Sequence, residues 1–195
     1  MSGTFPTAGF TTLDFQSNNN NKVTTSISGR TQRVKTGVQY WSFKLQSPSL
    51  TRADFFAQYS FVVQQDGQVG SFTIVPPVIG STRGTASGTI TVNSTVAAGQ
   101  TTCNSAGGTG TLKKGDLIKF SNHDKVYMLT ADVDLDSSTV DTLSFYPALT
   151  TGITNTTTVT YNNVPFTVYF DSDNLSYNTG ADGTYRYQIN CNEEI

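Results

Sequence analysis

Charge is scarce in this chain. Across 195 residues, Asp, Glu, Lys and Arg together supply 13%, about half the usual share of a soluble domain, and the formal net charge is −2. The exterior must rest on Thr, Ser, Asn and Gly, and such a surface is poorly protected by charge repulsion, which suits an assembly or an extracellular setting. Cysteine is nearly missing: Cys103 and Cys191 are too few for a disulfide scaffold, and in a reducing compartment both are expected as free thiols. With His123 as the single histidine, a four-ligand zinc site is excluded on numbers and spacing. Long apolar runs are absent too. Nothing approaches the roughly 20 residues that cross a bilayer, and residues 1–10 carry neither the basic start nor the apolar run of a signal peptide. Membrane insertion is not expected, and synthesis in the cytoplasm is.

Catalytic patterns are equally thin. His123 stands beside Asp124 in a turn, without a Gly-x-Ser-x-Gly context, and reads as a turn residue. Asp132, Asp134 and Asp136 imitate the opening of a calcium loop, but Ser137 replaces the required glycine and Leu143 stands where the closing glutamate belongs. Alternation along one strand face accounts for the three. Gly107, Gly108 and Gly110 lead into no strand-to-helix transition, so no phosphate loop is expected. Arg30, Arg33, Lys35 and Tyr40 make a basic-aromatic patch too slight for sequence-specific nucleic-acid binding. No enzyme, cofactor or metal is expected.

What the sequence does contain is centred on residues 38–77. Trp41, Phe43 and Leu45 alternate with Tyr40, Ser42 and Lys44, the period of a half-buried strand over 38–46. A helix is predicted over 52 to about 65: Thr51 can cap it, Asp54 suits its first turn, and Phe55, Tyr59, Val62 and Val63 form an apolar stripe widened by Phe56. Gly67 is placed to end it. A strand over 71–75 then stops at Pro76 and Pro77.

Upstream, residues 10–15 alternate weakly and residues 17–22 read as a polar loop or a flexible hairpin tip. Residues 23–35 form a Thr/Ser-rich hairpin about Gly29, with Arg33 and Lys35 on one face; it has little apolar surface and needs a partner, such as a neighbouring subunit. Downstream, 79–87 reads as a linker, 88–96 as a strand through Ile90 and Val92, and 99–110 as a glycine-rich loop around Cys103. Turns at Gly115 and Asp116 and at residues 122–124 deliver strands over 117–120 and 125–133, and 142–146 closes the unit before Pro147. Short strands with tight turns fit a small, partly open β-barrel. In the last stretch, Val164, Phe166, Val168 and Phe170 share one face, as do Tyr185, Tyr187 and Ile189 beyond a hairpin turn at Asp182 and Gly183.

These strands need the Trp41 strand and the helix as cover. The expected layout is therefore one β-domain from residues 1–77 and 151–195, with residues 78–150 inserted as a barrel. Residues 1–77 carry a net +3, including Arg30, Arg33 and Lys35; residues 151–195 carry −4, including Asp171, Asp173 and Asp182. These six are the candidate assembly-interface residues, because a basic and an acidic side on one molecule suit head-to-tail contacts in a ring.

The order of signals resembles a known family. Phe5 and Pro6 at the start, Arg30 to Arg33, the aromatic strand from Tyr40 to Phe43, the Phe-rich helix, Phe72 before Pro76 and Pro77, and the Leu112 to Ile118 run are similar to tail structural proteins of tailed bacteriophages, most of all distal tail or baseplate hub proteins. The resemblance implies a mainly β fold: a tail-tube-like β-sandwich or barrel with one flanking helix and an inserted small barrel of OB or SH3 type. It implies a virion protein that forms a ring of six copies, continues the tail tube, passes DNA through its lumen, and meets the tube and other tail-tip or baseplate proteins as partners. It carries no catalytic residues. A reading from another class is a carbohydrate-binding or adhesin domain that uses Tyr161, Tyr169 and Tyr177.

Overall fold

The computed structural model describes residues 3–6 and 9–195. Met1, Ser2, Thr7 and Ala8, part of the start read above for a signal peptide, lie outside the described residues. In chain order the elements are β1 (Thr12–Asn18), β2 (Asn21–Thr25), β3 (Thr31–Lys35), β4 (Tyr40–Gln46), α1 (Arg52–Gln64), β5 (Ser71–Ile74), β6 (Ile90–Val92), β7 (Thr102–Ala106) and β8 (Gly110–Leu112). There follow β9 (Leu117–Phe120), β10 (Val126–Leu129), β11 (Val133–Leu135), β12 (Val140–Tyr146), β13 (Thr158–Thr160), β14 (Phe166–Phe170), β15 (Tyr177–Thr179) and β16 (Tyr185–Glu193). The protein is mainly β, with α1 the single α-helix among the described residues.

One antiparallel sheet runs β1-β4-β16-β14-β5, with β15 added to the first half of β16. Its strands keep the two-residue period: Trp41, Phe43 and Leu45 face the same core as Phe166, Val168, Phe170, Tyr187 and Ile189, while Ser42, Lys44, Gln188 and Asn190 face away. Register agrees across the join, where Cys191 lies opposite Phe43 and Ile189 opposite Leu45. Chain ends far apart in sequence thus share one core.

Helix α1 closes that core. Thr51 Oγ1 accepts from the Asp54 amide at 3.3 Å and donates to its carboxylate at 2.7 Å, and Gly67 has φ +64 just past the helix end. Phe55 is fully buried and stacks on Tyr185 at 4.6 Å. The buried stripe is narrower than the sequence suggests: it is Phe55, Gln58 and Val62, while Phe56 and Val63 are exposed. Gln58 takes a place in that stripe, where its side-chain carbonyl accepts from the Tyr187 hydroxyl on β16.

The middle of the chain forms a closed barrel, β10-β12-β7-β6-β13-β9, not a partly open one. Two segments depart from their expected state. The glycine-rich stretch around Cys103 contains β7, because pairing with both β6 and β12 holds a sequence whose inward positions are only Cys103 and Ser105. The expected strand over 125–133 is two strands, since β11 leaves the barrel to pair with β8. The last barrel strand, β13, pairs with β6 and β9 and lies beyond the border placed at residue 150. Of residues 17–22, expected as a loop or hairpin tip, residues 17 and 18 continue β1 opposite Trp41 and Tyr40, where Asn18 donates to Ser42 at 2.7 Å, and Asn21 and Lys22 begin β2.

Strands β9 and β10 are buried on both faces. Ile118, Phe120, Tyr127 and Leu129 fill the barrel, while Leu117 and Val126 belong to the core of the large sheet. The barrel is therefore joined to the sheet through shared apolar contact.

Candidate functional site

The hairpin β2–β3 stands apart from both cores. Every residue of both strands is exposed, including the β-branched Val23 and Val34 at 59% each, and Ile27 at the tip is fully exposed. The turn is local: the Ser26 amide donates to Arg30 O at 2.9 Å, and Gly29 adopts φ +80. Register puts Val23 opposite Arg33, Lys22 opposite Val34, and Asn21 opposite Lys35. Each face of this arm mixes one valine with positive charge. No acidic residue occurs between Asp14 and Asp54, so nothing within the arm neutralises Lys22, Arg30, Arg33 and Lys35.

The acidic candidates lie at the other end of the sheet. Asp171, just after β14, accepts from the Asn192 side chain at 3.0 Å, and its carbonyl accepts from Gln68 at 2.6 Å. Asp173 accepts from the Gln68 amide at 3.0 Å, tying the loop after α1 to the end of β14. Asp182 takes the amide and hydroxyl of Thr184 in the β15–β16 turn, at 3.1 and 2.8 Å, and those bonds hold its carboxyl below the usual range. Beside them runs an open groove of about 1010 Å³ lined by Gln46, Asn178, Asp182, Gln188 and Asn190. The ion pairs found among the described residues include none of the six candidates.

A second cluster was not legible from the sequence. Glu193, at the end of β16, is fully buried against Lys125, whose ammonium it pairs with, and it also accepts from the amides of Val126 at 2.8 Å and Trp41 at 3.1 Å. Trp41 in turn donates its indole N–H to Val126 O at 2.9 Å. One carboxylate thus bonds to the sheet and to the barrel together. Burial pushes Glu193 up and Lys125 down, each partly countered by the other's charge. The partners are separated by 68 residues, and no local pattern announces them.

Asp116, in the turn before β9, is likewise buried and ties that turn to residues 82 and 83. Burial would raise its carboxyl, but the Thr82 hydroxyl at 2.6 Å, the Lys113 amide at 2.9 Å and the Arg83 amide at 3.1 Å outweigh that and lower it. His123 sits in the expected turn, where its ring nitrogens meet Asn122 Oδ1 and the Tyr127 hydroxyl, both at 2.8 Å; burial lowers its pKa. Cys103 and Cys191 are free thiols in separate cores, and burial pushes Cys103 up to about 12.

Asp132 faces Lys113 at 3.0 Å, while Asp136 caps its own turn through Ser138. Among the described residues no three His, Cys, Asp or Glu side chains converge as metal ligands would. The three tyrosines of the carbohydrate reading are divided: Tyr161 packs on the barrel and bonds to Gly88 O, Tyr169 lies on β14, and Tyr177 packs on Phe55.

The molecule is thus a mainly β body with an exposed arm and a barrel bonded to it through Glu193 and shared apolar contact. In comparison with known proteins, residues 77–164 match the family model of the distal tail protein pb9, B domain. The matched span covers the barrel from before β6 to beyond β13. The resemblance to phage distal tail proteins is therefore supported by the barrel, and a structural role in the phage tail is what it supports. No curated protein matches the chain.

Proposed function

We propose that the chain forms a ring that continues the tail tube and joins it to the tail tip or baseplate. The observation that carries this reading is the match of the barrel to the distal-tail B domain. Two features of the sheet support it. Strand β1 pairs only with β4 among the described residues, leaving seven residues of backbone edge with a single charge, Asp14, to deter pairing. The far edge at β5 bears a short parallel bridge between Thr4 and Thr73. In this reading the sheet body is the tube-like part, the barrel is inserted into it and faces outward, six copies close the ring, and DNA passes through the lumen. Its partners are itself, the tail tube and other tail-tip proteins; it carries out no chemistry.

Electron microscopy of phage particles labelled with antibody against the barrel tests the assignment. Label confined to the distal end of the tail is the expected result; particles without label, from preparations in which the chain is expressed, would overturn it.

A further inference from the structure

We propose that the β2–β3 arm of one copy docks into the groove beside β15 and β16 of a second copy, setting Arg30, Arg33 and Lys35 against Asp171, Asp173 and Asp182. The inference rests on the ring reading and specifies its contact. An isolated two-stranded hairpin is marginally stable in water, and this one exposes Val23, Val34 and Ile27 with nothing over them. The groove has the complementary character: Gln46, Asn178, Gln188 and Asn190 present amides to a hairpin whose strands carry Asn21, Thr24, Thr25, Thr31 and Gln32. Asp182 lines the groove and Asp173 stands between its lining residues Ser172 and Asn174; neither is in an ion pair, whereas the arm has cations and no acid. Arg186, which also lines the groove, is held by Ser49 at 2.8 Å.

The mixed faces of the arm favour a protein partner over nucleic acid. Arg33 and Lys35 share one face and Lys22 lies on the other, and on each face a valine stands opposite a cation, so apolar surface accompanies the charge on both. Each copy holds both an arm and a groove. Such a head-to-tail contact closes into a ring when its rotation allows.

Charge reversal on the full chain tests the contact, with assembly followed by sedimentation velocity at low salt. Arg33→Glu with Lys35→Glu, and separately Asp173→Lys with Asp182→Lys, should each weaken assembly at least about tenfold, because like charges then meet. An equal mixture of the two variants should assemble again, since each arm then finds an opposite groove; circular dichroism verifies that both remain folded. If both variants assemble like the unaltered chain, the docking inference fails while the ring reading stands. If the unaltered chain stays monomeric at every concentration and salt, both fail. Arm-dependent retention of a short DNA duplex, with assembly unchanged, would assign the arm to nucleic acid and overturn the proposal.

Discussion

Replacing Glu193 by Gln tests how the two bodies of the molecule are held together. The side chain keeps its size but only one acceptor oxygen, so it can serve the amide of Trp41 or that of Val126 and not both, and Lys125 loses its counter-ion while remaining 1% exposed. Breaking a buried pair on one side costs about 3–5 kcal/mol, a large share of the roughly 5–15 kcal/mol that stabilises a typical domain. Trp41 is the only tryptophan, and its indole bonds to Val126 across the joint, so its emission during urea unfolding reports this contact directly. Lys125→Met should also destabilise, by leaving the carboxylate buried with only two amides. The double variant Lys125→Met with Glu193→Gln should lose far less than the sum, because replacing both partners removes two desolvation costs. The pH dependence follows from the same burial. A carboxyl raised in the folded state contributes stability that is present below its ordinary value of 4.5 and lost as pH rises through its folded value, so acid does not weaken the fold through Glu193. The desolvation of both charges thus offsets much of what their pairing adds to stability. A loss below about 1 kcal/mol in Glu193→Gln, with unchanged Trp41 emission, would refute this reasoning.

Asp116 gives the opposite pH response: with its pKa lowered, it contributes stability present above the ordinary value of 3.8 and lost as pH falls through the lower folded value. Asp116→Asn should cost about 1–3 kcal/mol at neutral pH and flatten the acid limb of the stability profile, as measured by urea unfolding from pH 2 to 7. Phe55→Ala removes the fully buried ring beneath α1 and should cost about 3–5 kcal/mol, whereas Phe56→Ala, at an exposed position, should cost well under half of that in the same assay. Cys103 and Cys191, buried and held as thiols, should ignore a thiol reagent in the native protein and react only in denaturant.

Local chemistry explains which parts of this fold can be read from the sequence. The cap at Thr51, the glycine after the helix and the alternation of Trp41, Phe43 and Leu45 or of Phe166, Val168 and Phe170 are written within a few residues, and all appear in the structure. Strand β7 is invisible by the same logic: Thr102–Ala106 has one apolar inward residue of any size, and its state is imposed by β6 and β12 on either side. The narrow stripe of α1 includes a glutamine meeting Tyr187, a contact 129 residues long. Among the site residues, the exposed arm with Arg30, Arg33 and Lys35 is legible from its missing apolar face. The roles of Asp171 and Asp173 are not, since they hold Gln68 through bonds that span more than a hundred residues. The Lys125, Glu193 and Trp41 joint is non-local in the same way, and its charges look like solvated ones in sequence.

Native mass spectrometry of the purified chain, over a range of concentration and salt, reads the ring itself. A closed oligomer of six copies that dissociates as salt rises is the expected result. A monomer under every condition, including in the presence of tail tube protein, would overturn the ring.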